Sequence, residues 1–195
     1  HTNYSGCGNT FCAYSEVGKK IIIDSLVYWV QTMHVDGFRF DLAPILTYQP
    51  RNNGIFADER SVLLQEIASH PLLQGIKLIA EPWDAGHSYM LGHFPSTWLE
   101  WNDKYRDTWR RFWLWGKEKA SNLINALQGS RDVFDSAYSI PSKEEYLGNS
   151  SSRSINFVSC HDGFTLKDVV SYNQKHNEAN GEDNRDGSDA NFSYN

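Results

Sequence analysis

The most constraining feature of this 195-residue sequence is a cycle of helix pattern and strand pattern that repeats, with each strand ending in a carboxylate. From Glu16 to His34, Val17, Ile21, Leu26, Val27 and Val30 recur at three-to-four spacing with Lys20, Asp24 and Gln31 between them, which predicts an amphipathic helix. HVDGFRFD then runs from His34 to Asp41, a glycine followed by alternating side chains, and predicts a short strand. A second cycle has a loop from Leu42 to Ala57, a helix from Asp58 to His70 over Val62, Leu63, Ile67 and Leu72, and a strand from Lys77 to Glu81. A third strand, Ser154 to Cys160, leads into His161 and Asp162. Helix and strand alternate, so the expected class is α/β with a parallel sheet.

The intervening sequence is an aromatic loop with Trp83, Tyr89, Phe94, Trp98 and Trp101, followed by helical stretches from Lys104 to Trp115 and from Lys119 to Gln128. A short helix over Leu166 to Ser171 precedes a tail, Asn173 to Asn195, dense in Asn, Asp and Gly. No internal repeat and no linker divides the chain, so residues 1–195 are expected to belong to one domain. No run of about 18 apolar residues exists, and no membrane span is expected. The formal net charge of -6, with no basic stripe, argues against nucleic acid as a partner. Cys7, Cys12 and Cys160 are odd in number and form no CxxC pair, so neither a disulfide framework nor a zinc site is expected, and a reducing compartment fits.

Asp41, Glu81 and Asp162 all fall at strand ends, where the loops of βα units surround a common crevice. Arg39 and Asp41 are two residues apart and share one face of their strand, while Phe38 and Phe40 take the other. A guanidinium on the same face keeps the carboxylate ionised. Ile79 and Glu81 share parity in the same way, as do Val158, Cys160 and Asp162. Two carboxyl groups across a crevice are the minimum for retaining glycoside hydrolysis, one attacking as the anion and the other donating a proton. The aromatic residues suit that substrate, because sugar rings present flat C–H faces to Trp and Tyr. A rival use of three strand-end carboxylates is to hold a divalent cation for proton abstraction beside a carboxylate. That chemistry wants a basic residue at a strand end, whereas Lys77 begins its strand.

GFRFDLA at Gly37 to Ala43, LIAEPWDAG at Leu78 to Gly86 and FVSCHDGFTL at Phe157 to Leu166 resemble the second, third and fourth signature regions of the α-amylase superfamily, glycoside hydrolase family 13. HTNYSGCGNT at the start, EWNDKYRDTWRRFW at Glu100 to Trp113 and HNEANGEDNRDG at His176 to Gly187 further resemble isoamylase-type glycogen debranching enzymes. The resemblance implies that Asp41 is the nucleophile, Glu81 the general acid and then base, and Asp162 the group that stabilises the distorted transition state. It implies that His161 contacts the same ring, that Arg39 positions and ionises Asp41, and that His1, matching the last residue of the first signature region, lines the subsite of the cleaved glucose. Tyr4, Trp83 and Trp101 are candidates for sugar stacking. No cofactor and no metal are implied, and the partner is an α-glucan such as glycogen. A bacterial cytoplasm or a plant plastid fits.

The upstream part of the first signature region is not in this sequence. The resemblance therefore implies a partial (β/α)8 TIM barrel, about strands 4 to 7, that is a fragment of a larger catalytic domain, the remaining strands being supplied in cis. Such a piece in isolation is expected to be inactive and poorly folded, with sheet edges and apolar faces uncovered. The alternatives are another activity of the superfamily, pullulanase or α-amylase-like, and a non-catalytic α-glucan-binding subunit. The tail EDNRDGSDANFS has the look of a calcium loop, but Ser193 falls where an EF-hand needs a bidentate Glu, so a polar loop of the substrate cleft is expected.

Overall fold

The structure, a computed structural model, describes residues 3–52, 54–86, 88–135, 150–189 and 191–194. The chain forms two compact units, one of His1–Trp101 with Val133–Ser154, the other of Asn102–Asp132 with Ile155–Asn195.

The first unit opens with helix α1, Glu16–Met33. Ser15 starts it by accepting the Gly18 N–H at 3.0 Å, and His34 stops it in the left-handed region at φ 57°. Leu26 is buried, with Ile22, Ile23, Val27 and Val30 packed beside it. Val17, Ile21 and Trp29 instead face outward. An apolar side chain on a helix reports burial only against the partner that is present.

Strand β1, Gly37–Phe40, is followed by a 3-10 turn, Ala43–Thr47, and by two strands in a segment expected to be loop: β2, Tyr48–Arg51, and β3, Gly54–Ala57, paired antiparallel. Their ladder pairs Tyr48 with Ala57 and Arg51 with Gly54. Helix α2 covers Val62–Ser69, shorter than the expected Asp58 to His70, and buries Leu63, Leu64 and Ile67. Leu72 lies beyond it in a separate 3-10 turn, Pro71–Leu73, because Pro71 cannot continue the helix. Strand β4, Lys77–Ala80, and β5, Trp98–Asn102, complete the sheet of this unit. Trp98 and Trp101 are thus strand residues rather than part of an aromatic loop, and Trp98 is fully buried against Phe40 and Phe94.

The sheet is parallel, with β1 beside β4 in the register Phe38↔Leu78 and Phe40↔Ala80, and β4 beside β5 with Leu78↔Trp98. Phe38 and Phe40 pack against the buried cluster of Leu63, Leu64, Ile67, Leu78, Phe94 and Trp98, which is the face that parity assigned to them. Gly37 lets β1 and β4 approach, since a Cβ there would sit 2.8 Å from the Lys77 carbonyl oxygen and 2.9 Å from its Cβ. Gly37→Ala is therefore expected to destabilise the fold by about 1–3 kcal/mol, read as a lower denaturation midpoint.

The second unit carries α3, Asp103–Arg110, which continues into a π-helical turn, Arg111–Trp115, closed by Gly116 at φ 61°. Asn102 caps α3 by accepting the Tyr105 N–H at 2.8 Å. Helix α4, Ala120–Leu127, and the short α5, Arg131–Phe134, follow; α5 ends within the first unit. Strand β6 is only Ser154–Asn156, not the expected Ser154 to Cys160. The Val158 carbonyl is taken by the buried Arg110 guanidinium, at 2.9 Å from Nε and 2.6 Å from Nη2, rather than by a strand ladder. The parity argument for Val158, Cys160 and Asp162 consequently does not apply. Helix α6, Leu166–Val169, is capped by Thr165, which accepts the Asp168 N–H.

Candidate active site

The parallel register of β1 and β4 carries the first pair of expected residues. The ladder runs one step past both strands, with the Glu81 N–H donating to the Phe40 carbonyl at 3.1 Å and the Ala43 N–H to the Glu81 carbonyl at 3.0 Å. Asp41 and Glu81 are thereby held side by side, with carboxylate oxygens within 4.8 Å of each other. Arg39 bridges them: Nη1 bonds Asp41 Oδ1 at 2.5 Å, and Nη2 forms an ion pair with Glu81 Oε2 at 3.1 Å. Its guanidinium lies over the Trp101 ring, 4.6 Å from the centroid.

The two carboxyl groups differ in surroundings. Glu81 has a side chain only 2% exposed, and its Oε2 also accepts the Leu42 N–H at 2.8 Å. Leu42 reaches it from the left-handed region, at φ 43° and ψ 51°. The Asp41 side chain is 70% exposed and open to an incoming molecule. A separation near 5–5.5 Å is that of retaining glycosidases, and one near 6.5–9.5 Å leaves room for the water of inverting ones.

The segment after Glu81 is shaped by Asp84, which accepts the Gly86 N–H at 2.7 Å, the Ser88 N–H at 3.0 Å and the Tyr48 hydroxyl at 2.5 Å. Burial, together with the bond to Asp84, pushes the Tyr48 phenol up to about 12, so it stays a donor throughout the working range. Tyr4 packs edge-on against Tyr48, with centroids 4.5 Å apart, and sits over Gly86, where an added Cβ would lie 2.5 Å from Tyr4 Cδ1. Trp83 is half-buried and bridges to Tyr89.

In the second unit, His161 Nε2 lies 3.5 Å from Asp162 Oδ1, and both side chains are exposed. Gly163 turns the chain at φ 74°, and the Phe164 N–H donates to Asn191 Oδ1 at 2.9 Å. Arg110 fixes this segment from behind through Val158, Ser159 Oγ at 3.2 Å and the Asn191 carbonyl at 2.6 Å. His1 lies outside the described residues.

Sequence reasoning missed a buried ion pair, Glu100 with Arg153, at 2.5 Å in the first unit. Glu100 also accepts the Gly92 N–H at 2.6 Å, and Arg153 donates to the Phe94 carbonyl at 2.7 Å while stacking over Phe134. Together they clamp the loop that connects the Glu81 segment to β5. Glu100 shares its strand face with Trp98 and Asn102, all buried, and that inward parity was the one readable signal.

The chain resembles the pullulanase from Bacillus acidopullulyticus with a TM-score of 0.60 and 26% identity, over 86% of this chain and 20% of that one. In sequence it is 48% identical to the glycogen operon protein GlgX homolog of Haemophilus influenzae over 100% of its own length. It is 45% identical to the glycogen debranching enzyme of Erwinia tasmaniensis over the same span, and 45% identical to isoamylase 3, chloroplastic, of Oryza sativa subsp. japonica over 99% of its length. Over its whole length, this chain is a homologue of the isoamylase-type glycogen debranching enzymes. It spans 28% of each of the two bacterial relatives and 23% of the plant one. No protein-family profile matches it.

Proposed function

We propose that this chain is the central part, about strands four to seven, of a single (β/α)8 barrel domain in a longer polypeptide that hydrolyses α-1,6 branch linkages of glycogen or a related α-glucan with retention. The observation that carries the reading is the Asp41–Glu81 pair, two carboxyl groups on adjacent parallel strands with oxygens within 4.8 Å and one arginine between them. Asp41 attacks the anomeric carbon as the branch oxygen leaves, and forms a β-glucosyl-enzyme. Glu81 gives its proton to that oxygen, then takes one from the water that releases the sugar. Asp162 hydrogen-bonds the reacting sugar and His161 contacts its ring, while His1 lines the subsite of the cleaved glucose. Tyr4 and Trp83 offer ring faces to the glucan; one face of Trp101 is already covered by Arg39.

The exposed apolar side chains Val17, Ile21, Tyr28 and Met33 on α1 support a longer parent, because further barrel elements in cis would cover them. Among the described residues no helix is long and apolar enough to cross a membrane. Bacterial cytoplasm, or the plastid in a plant, is the setting we infer from the relatives.

The test is to compare glycogen, pullulan and linear amylose as substrates of the native-length protein. Release of linear chains from glycogen, with amylose left intact, is the expected result. Cleavage of amylose would replace the branch specificity with an α-1,4 activity, and binding of all three without turnover would identify a non-catalytic glucan-binding subunit.

A further inference from the structure

The second unit holds a cavity of about 310 Å³ that the reaction at Asp41 and Glu81 does not use. Gly163, Phe164 and Thr165, directly after Asp162, form one wall. The other wall is the Asn-rich tail, and its side chains explain how a sequence without apolar periodicity holds a shape. The Asn177 N–H donates to Asn184 Oδ1 at 2.8 Å and its Nδ2 to the Asp186 carbonyl at 3.1 Å, while Asn184 Nδ2 reaches the Lys175 carbonyl at 3.0 Å. Asn180 Nδ2 adds a bond to Asp186 Oδ2 at 2.7 Å. Left-handed residues at Gly181, Asp183, Asn184 and Gly187 make the bends. Asparagine side chains here take the place of ladder hydrogen bonds.

The chemistry of the lining selects the ligand. Lys175 has a counter-ion in Asp189 at 3.0 Å, and Asp168 Oδ2 is already occupied by the Thr165 hydroxyl, which donates to it at 2.8 Å. Protein calcium sites gather about six to eight oxygen ligands, several of them carboxylates, and Asp168 is the single acidic residue on this lining. An anion would have to displace Asp189 from Lys175. What remains is a pair of rings, Tyr172 and His176, with centroids 4.4 Å apart, beside the amides of Gln174 and Asn177 and the hydroxyl of Ser188. Rings for C–H faces and neutral donors and acceptors for hydroxyl groups are the recognition set of an uncharged sugar.

We propose that this cavity is a further glucan subsite, which holds a sugar unit of the same chain whose reacting unit meets Asp162. It rests on the debranching reading for the identity of the glucan. The cavity's volume stands at the small end of ligand pockets, roughly 300–1,000 Å³, and suits one ring. Its wall is continuous in sequence with Asp162 through Gly163, so a glucan held by Asp162 is the occupant nearest to hand.

The experiment uses the native-length protein and maltohexaose and maltose as probes, with binding followed by calorimetry and folding checked by thermal denaturation. His176→Ala removes one ring, and Gln174→Trp fills the cavity from an exposed position without deleting packing. Both are expected to weaken maltohexaose binding about fivefold or more, and to weaken maltose binding less, because the short sugar need not reach the cavity. Wild-type maltohexaose affinity in both folded variants, or an equal loss for the two sugars, would overturn the subsite. If the expected losses appear while the wild-type protein releases nothing from glycogen, the subsite stands and the debranching reading falls.

Discussion

Replacing Glu81 by Gln in the native-length protein is expected to lower turnover of glycogen by about 10³-fold or more, with glucan binding retained. A positioned general acid contributes roughly 10²–10⁴ in rate, and in the proposed mechanism the same group serves both halves of the reaction. The amide is nearly isosteric, and it can still accept the Leu42 N–H that Glu81 Oε2 accepts at 2.8 Å. The variant therefore removes the transferable proton and the negative charge that faces Arg39 at 3.1 Å, while keeping the shape. Asp41→Asn is expected to be as damaging, but for a different reason, because it removes the proposed nucleophile. Activated glucosides with good leaving groups separate the two. They need no acid for the first step, so Glu81→Gln should form the glucosyl-enzyme in a burst and then stall, whereas Asp41→Asn should show no burst. Full turnover of glycogen by Glu81→Gln would remove this residue from the chemistry and turn attention to a scaffold role.

Removing Arg153 is expected to have the largest effect on stability. It is 4% exposed and faces Glu100, 0% exposed, across 2.5 Å. Breaking one half of a buried pair strands the other charge and costs about 3–5 kcal/mol. Glu100 is pushed up to about 7 by burial, against the lowering effect of Arg153 and the Gly92 N–H. From an ordinary value of 4.5, the unfolded chain loses this proton earlier than the folded one as pH rises. The folded state then holds more protons between about 4.5 and 7, so the Glu100 contribution to stability is present below that window and falls through it. Arg153→Ala should consequently cost less at pH 5, where Glu100 is protonated, than at pH 8. Glu100→Gln should flatten the slope, and the double change of both residues to Met should recover much of the loss. Urea denaturation at several pH values checks all three, and a loss from Arg153→Ala that did not vary with pH would separate its role from Glu100.

The placement of Arg39, Asp41 and Glu81 in the first unit was legible in sequence because these residues obey strand parity. Arg39 and Asp41 share a face, Phe38 and Phe40 the other, and a ladder between two parallel strands does the rest. The parts that sequence did not reveal depend on long-range partners. Nothing near Arg110 announces that its guanidinium takes the Val158 carbonyl, 48 residues away and just past the end of β6 at Asn156. Glu100 and Arg153 are 53 residues apart, and each alone reads as a surface charge. The outward position of Val17, Ile21 and Trp29 was hidden for a related reason, since periodicity gives a stripe but not what lies against it. The hairpin of β2 and β3 was overlooked because its strands are only four residues long and Pro50 interrupts the first.

The ladder that joins β1 to β4 has an evolutionary consequence. Neighbouring strands lie about 4.7–4.9 Å apart in any sheet, and the retaining mechanism asks for nearly the same interval between its two carboxyl groups. Under the proposed mechanism the interval between Asp41 and Glu81 comes from the backbone ladder, with Arg39 bridging the two carboxyl groups. A change in a loop such as the Asp84 turn would then leave that interval as it is, because the ladder between β1 and β4 does not pass through the loop.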